Sequence, residues 1–214
     1  MKKKFLAVLL IVVVTVLCGC GMSGEDAKSY AQSVLDASYK GEFKEYIDWT
    51  KSSEKEAEEM YESNIDAIMK AAGVADLGLS EELTDNYRSL FKDMLKKAKY
   101  ELGDAKEADG DAYTIDVTVE PFLAFEGLEN EVTTQVQEIL AGASEIPSEE
   151  EINELLFQKM YEIMSEKVAN PTYGEATTVT IHIQPDSDGI YYIPQEDRKI
   201  LDDTLFPGDS TTEE

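Results

Sequence analysis

Residues 113–120 read YTIDVTVE, and this octapeptide decides the fold. Tyr113, Ile115, Val117 and Val119 alternate with Thr114, Asp116, Thr118 and Glu120. A period of two, carried largely by β-branched side chains, predicts a strand with one buried and one wet face. Asp109-Gly110 stands just before it and reads as a hairpin turn, in which both central positions need positive φ. The partner strand is read over Tyr100–Glu107. Pro121 weakens the ladder because it has no N–H to donate, and Phe122–Phe125 is read as a continuation after a bulge.

Working outward, the pattern returns at residues 178–193, TVTIHIQPDSDGIYYI. Val179, Ile181 and Ile183 alternate with Thr178, Thr180, His182 and Gln184, and Asp188-Gly189 turns the chain into Ile190–Ile193. Elsewhere the apolar period is helical. Ala27, Tyr30, Ala31, Val34 and Leu35 form one stripe, with Gly41 as its stop, and Glu42–Trp49 makes a short second segment. Ser53-Glu54-Lys55-Glu56 is a capping box that opens a helix closed by Gly73. Ser80 caps a helix striped by Leu83, Tyr87, Leu90, Phe91, Met94 and Leu95. Two more helices follow, one with Val132 and Val136 and one opened by the Ser148–Glu151 capping box and ended by Asn170-Pro171. A last short helix carries Ile200, Leu201 and Leu205. This order predicts an α+β domain, with helices packed on one face of a curved antiparallel sheet of about four strands built from two hairpins.

The opening stretch AKSYAQSVLDASYKGEFKEYIDWT (27–50) and the closing stretch TVTIHIQPDSDGIYYIPQEDRKILDDTLF (178–206) resemble uncharacterised lipoprotein domains of Gram-positive bacteria. Those domains are similar to the cystatin-like or nuclear-transport-factor-like superfamily. The resemblance implies helices on a curved antiparallel sheet and a surface location. It carries no catalytic residues, since such a fold hosts unrelated functions.

The N-terminus states a fate. Lys2, Lys3 and Lys4 precede an apolar run of 13 residues, Phe5–Leu17, broken only by Thr15. That is shorter than the roughly 20 residues a spanning helix needs, and it has the build of a secretory signal. Leu17-Cys18-Gly19-Cys20 resembles the lipobox of bacterial lipoproteins, with Cys18 a mild departure at a position where Ala, Ser or Thr is commoner. The resemblance implies a diacylglyceryl thioether on Cys20 and cleavage after Gly19. The expected organisation is a signal peptide over 1–19, a lipidated Cys20 with a short tether over 20–26, a single domain over 27–206 and an acidic disordered tail over 207–214. The expected location is the outer face of the cytoplasmic membrane, with the anchor as the contact to the lipid bilayer.

Loss of residues 1–19 takes away three lysines and no acid, leaving 16 basic against 45 acidic residues and a formal charge of −29. Such a surface repels nucleic acid, so a nucleic-acid partner is not expected. With Cys18 removed and Cys20 lipidated, no thiol remains for a disulfide, a nucleophile or a metal. His182 is the single histidine, too few for a zinc site without cysteine. No cofactor and no metal are expected. Asp186-Ser187-Asp188-Gly189 fails as a calcium loop because its fifth position is Ile190, and it reads as a turn.

One constellation is less bland. Asp116, Thr118 and Glu120 share a face of one strand, with Thr180 and His182 on the matching face of another. If helices cover the apolar side, these residues line an open concavity, the candidate binding face. The expected function is a lipid-anchored extracytoplasmic binding module, with an envelope protein, a peptide or a small ligand as partner. The alternatives are an acid/base enzyme using Asp116 or Glu120, or a transporter-associated accessory lipoprotein.

Overall fold

The computed structural model describes residues 21–76, 78–142 and 148–208. The signal, Cys20 and residues 209–214 of the expected tail lie outside the described residues.

The chain opens with α1 (Gly24–Leu35) and a π-helical turn (Asp36–Lys40), followed by α2 (Lys44–Thr50), α3 (Glu54–Ala71) and α4 (Glu81–Leu95). Strands β1 (Lys99–Leu102), β2 (Lys106–Ala108) and β3 (Ala112–Glu120) come next. Helices α5 (Leu128–Ala141) and α6 (Glu149–Ala169) form an antiparallel pair, and β4 (Thr177–Pro185), β5 (Tyr191–Tyr192) and α7 (Gln195–Leu205) close the domain. The sheet is antiparallel with order β1-β3-β4-β5, and β2 also pairs with β3. It is the expected α+β arrangement: seven α-helices among the described residues against a curled sheet.

Alternation does what the octapeptide implies. Ile115, Val117, Val119, Ile181 and Ile183 are fully buried, while Thr118, Thr178, Thr180 and His182 are exposed. Ile115 lies opposite Ile181, and Val117 opposite Val179. These cross-strand pairs floor a core completed by Tyr30 and Val34 of α1, Ile65 and Ile68 of α3, Phe91 and Leu95 of α4, and Leu201 and Leu205 of α7. Three capping boxes start helices, at Ser23/Asp26, Ser53/Glu56 and Ser148/Glu151.

Four local expectations differ from the structure. Helix α1 begins at Gly24, inside the stretch assigned to the tether, because the Ser23 hydroxyl accepts from the Asp26 N–H and the Asp26 carboxylate reaches back to Ser23. The strand expected over Tyr100–Glu107 is broken. Leu102 pairs with Val117 and Lys106 with Thr114, so three residues face two across a bulge. Gly103 sits in that bulge with its N–H on the Asp116 carbonyl at 2.8 Å, where a Cβ would stand 3.1 Å from the same oxygen. The positive φ values of the first turn fall on Gly110 (75°) and Asp111 (60°), one residue later than Asp109-Gly110. Ala108 pairs with Ala112, so the loop has three residues. Finally, Phe122–Phe125 is no strand. Phe122 makes one bridge, to Tyr173, and its N–H donates to the Leu205 carbonyl at 2.8 Å.

Candidate functional site

The open face of the sheet carries the residues singled out from sequence. Asp116 and Thr180 are register partners, and the Thr180 hydroxyl donates to Asp116 Oδ1 at 2.8 Å. Lys106 Nζ donates to the other oxygen at 2.7 Å. Lys106 first, then Thr180, hold the Asp116 carboxyl below its ordinary value. A carboxyl held low is a weak base and stays ionised at neutral pH, which is poor tuning for general acid work. Glu120 accepts from Lys99 at 3.0 Å, and the Lys99 ammonium stands 3.7 Å over the Tyr173 ring. Thr118 is exposed opposite Thr178. His182 lies on the β4 edge, where its backbone N–H donates to Asp197 Oδ2 at 2.7 Å and its Nδ1 lies 2.9 Å from the same oxygen. The structure thus joins Asp116 to Thr180 and ties His182 to α7. Exposed pairs of this kind contribute little, so Asp116→Ala should leave the urea midpoint essentially where it is in the wild type.

The concave, apolar site lies elsewhere. A hollow of ≈ 180 Å³ opens between α3, α4, α6 and the segment that follows β3. Tyr87, Phe91 and Met94 come from the α4 stripe, Met160 and Met164 from α6, and Phe122 and Phe125 from the segment after Pro121. Phe206, Pro207 and Gly208 complete the wall, so the expected tail begins as part of it. The aromatic lining is mutually braced. Phe122 stands edge-on to Phe125 at 5.2 Å between ring centres and packs on Phe206 at 5.9 Å. The Tyr87 hydroxyl donates to the Phe157 carbonyl at 2.6 Å, which leaves its ring as wall. Glu126 is the one ionisable carboxylate among the lining residues. For scale, an apolar cavity of about 150 Å³ stays dry and takes up benzene. The sequence reading missed this site. The signal was present as FLAF after Pro121, four apolar residues that a two-sided strand could not bury.

No family model and no curated protein matches the chain. A solved structure does. The crystal structure of a "putative lipoprotein (ycdA)" from Bacillus subtilis is similar, with a TM-score of 0.59 at 15% identity. The match covers 85% of this chain and 56% of that one, so this chain spans little more than half of that protein's length. At that identity the likeness is one of fold.

A polar seam runs under α7, next to the hollow. Asp202 is 7% exposed, and the Tyr39 hydroxyl donates to its Oδ1 at 2.6 Å. Burial pushes the Asp202 carboxyl up to about 7, against the Tyr39 hydrogen bond and the nearby Arg198. On the neighbouring π-helical turn, Asp36 accepts from Lys40 at 2.6 Å, Tyr100 at 2.7 Å and Gln32 at 2.8 Å. Burial alone would raise Asp36, but those three donors bring it below its ordinary value. A π turn shifts the side-chain register of the helix, and such turns are frequent at functional sites. Among the described residues, no group of three or more His, Cys, Asp or Glu side chains is placed to hold a metal ion. No described helix is long and apolar enough to cross a membrane.

Proposed function

We propose that this protein is a lipid-anchored, extracytoplasmic binding module that holds an apolar group of its ligand or partner in the hollow beside Phe122. The observation that carries this reading is the lining: aromatic rings and methionines around a concave space, a common build for ligand sites, with adaptable thioethers at its floor. The Leu17–Cys20 motif supports the anchor, as does the description of the similar B. subtilis protein as a lipoprotein. The curled sheet with helices on one face supports kinship with cystatin-like or nuclear-transport-factor-like lipoprotein domains.

The geometry adds an orientation. The Tyr113 hydroxyl donates to the Met22 carbonyl, two residues from Cys20, at the start of β3. The hollow begins at Phe122, past the far end of that nine-residue strand. At about 3.3 Å per residue, β3 puts roughly 30 Å between the Met22 contact and the hollow. The ligand would be met away from the membrane surface.

Methionine-methyl labelling tests the site on residues 21–214. Hexanol should shift the Met94, Met160 and Met164 methyl signals saturably and leave Met22 and Met60 in place. Ala72→Leu, which adds bulk to the wall, should abolish the shifts. Methionine signals that ignore hexanol would sink the reading. The anchor is tested separately: Cys20→Ala should lose all incorporation of labelled fatty acid, and labelling that persists would refute it.

A further inference from the structure

The apolar hollow beside Phe122 carries one charge, and that charge is unanswered. Glu126 is exposed, so it stands at the mouth, and no lysine or arginine shares the lining. Among the described residues its carboxylate has neither a hydrogen-bond nor an ion-pair partner, and segments 143–147 and 209–214 contain no lysine or arginine. Lys167 of α6 goes to Glu131 instead, at 3.1 Å. Glu131 and Glu129 lie in the first turn of α5, where they already complement the positive end of the helix dipole. Glu126 is not needed for that task.

The backbone under Glu126 is held in place. The Glu126 N–H donates to the Leu123 carbonyl at 3.1 Å, and the Leu128 N–H donates to the Phe125 carbonyl at 3.1 Å. Gly127, with a φ of 73°, then turns the chain into α5. A carboxylate carried on two successive turns loses less freedom when a ligand arrives. The rings behind it suit the same charge. Phe125, its neighbour in the chain, is half-buried and stands edge-on to Phe122 at 5.2 Å, while Tyr87 and Phe91 lie 5.9 Å apart in the same wall. The face of an aromatic ring is electron-rich and attracts a cation. At longer range, 45 acidic against 16 basic side chains in residues 20–214 draw cations toward the surface and turn anions away.

We infer that the ligand of the hollow is a small cationic amphiphile, an apolar ring or a chain of about six carbons bearing an amine whose ammonium pairs with Glu126. This rests on the reading of the hollow as a binding site and adds the charge and size of what it takes. The size follows from ≈ 180 Å³ of space, close to the roughly 150 Å³ that accepts benzene. A wholly apolar ligand would leave Glu126 unused, and an alkyl carboxylate would meet it with like charge.

Hexylammonium, hexanol and hexanoate are titrated, at low salt and neutral pH, into the full-length chain held in phosphatidylcholine nanodiscs, with the methionine methyls as reporters. Hexylammonium should shift Met94, Met160 and Met164 saturably, and hexanoate should bind most weakly of the three. Glu126→Gln should weaken hexylammonium about threefold or more, the scale of an exposed ion pair reinforced by ring faces, and leave hexanol unchanged. Its melting temperature should hold, because no contact within the protein is lost. Glu138→Gln, exposed near the other end of α5, removes the same charge away from the hollow and should leave all three probes as they were. Saturable hexanol binding with hexylammonium indifferent to Glu126→Gln would overturn this inference and leave the reading of the hollow standing. Silence from all three probes would overturn both. A loss from Glu138→Gln equal to that from Glu126→Gln would also overturn the inference, because the attraction would then belong to the whole acidic surface.

Discussion

Raising the pH from about 5 to about 8 should cost the fold roughly 2–3 kcal/mol, and Asp202→Asn should remove most of that loss. The Asp202 carboxyl is raised in the folded state, from 3.8 to about 7, by burial under α7. Between those values the native state holds a proton that the unfolded chain has released. Stability therefore falls as pH rises through this window and levels off above it. Asp36 works with the opposite sign: its carboxyl is lowered, so the stability it contributes is lost only as pH falls into the acid range. Tyr39 is raised by the same burial and stays neutral throughout, and Arg198 stays charged. Asparagine keeps an oxygen for the Tyr39 hydroxyl without the charge. Urea midpoints at the two pH values, for both proteins, decide the matter. Equal slopes in wild type and variant would show that Asp202 does not govern the window.

Ile115→Ala and Ile181→Ala should each lower stability by roughly 2–5 kcal/mol, because each empties a fully buried site that the sheet cannot close over. The two residues are register partners, so their losses should not add: the double variant shares one cavity. Thr118→Ala, one face over on the same strand, should stay within about 0.5 kcal/mol. Denaturant melts of the four proteins check the claim. A Thr118→Ala loss as large as that of Ile115→Ala would mean that the buried and wet faces are reversed.

The contrast between these predictions marks where sequence reading works. Ile115 was legible as core because its neighbours two residues away are apolar and those one residue away are not. Asp202 was not legible at all. In the sequence it is one acid of a short closing helix, and nothing local distinguishes it from Asp203 beside it. Its partner Tyr39 lies 163 residues earlier. The apolar hollow failed for a related reason. Phe122 and Phe125 read as strand because they are apolar and follow a strand. What they line depends on α6 and on Phe206 arriving from the far end of the chain. The bulge at Gly103 and the shifted positive φ at Asp111 are smaller instances, set by the pairing of β3 with two strand pieces at once.

The sequence by itself determined the elements, their faces and their caps, because these rest on interactions a few residues long. Period-two and period-3.6 burial and serine caps are decided within one turn of helix or one stretch of strand, whereas the turn read at Asp109-Gly110 shifted by one residue under the pairing of β3. It also determined the charge and the scarcity of histidine and cysteine, which bound the chemistry. Only the tertiary structure decided what the faces enclose. The fit of α7 over the π turn buries Asp202. The seating of α6 against α4 leaves a hollow in place of a closed core, and the packing around Tyr61 leaves its buried hydroxyl without a hydrogen-bond partner. Each of these depends on how surfaces from distant segments meet, and burial, cavities and missing partners are properties of that meeting, not of any residue in the line.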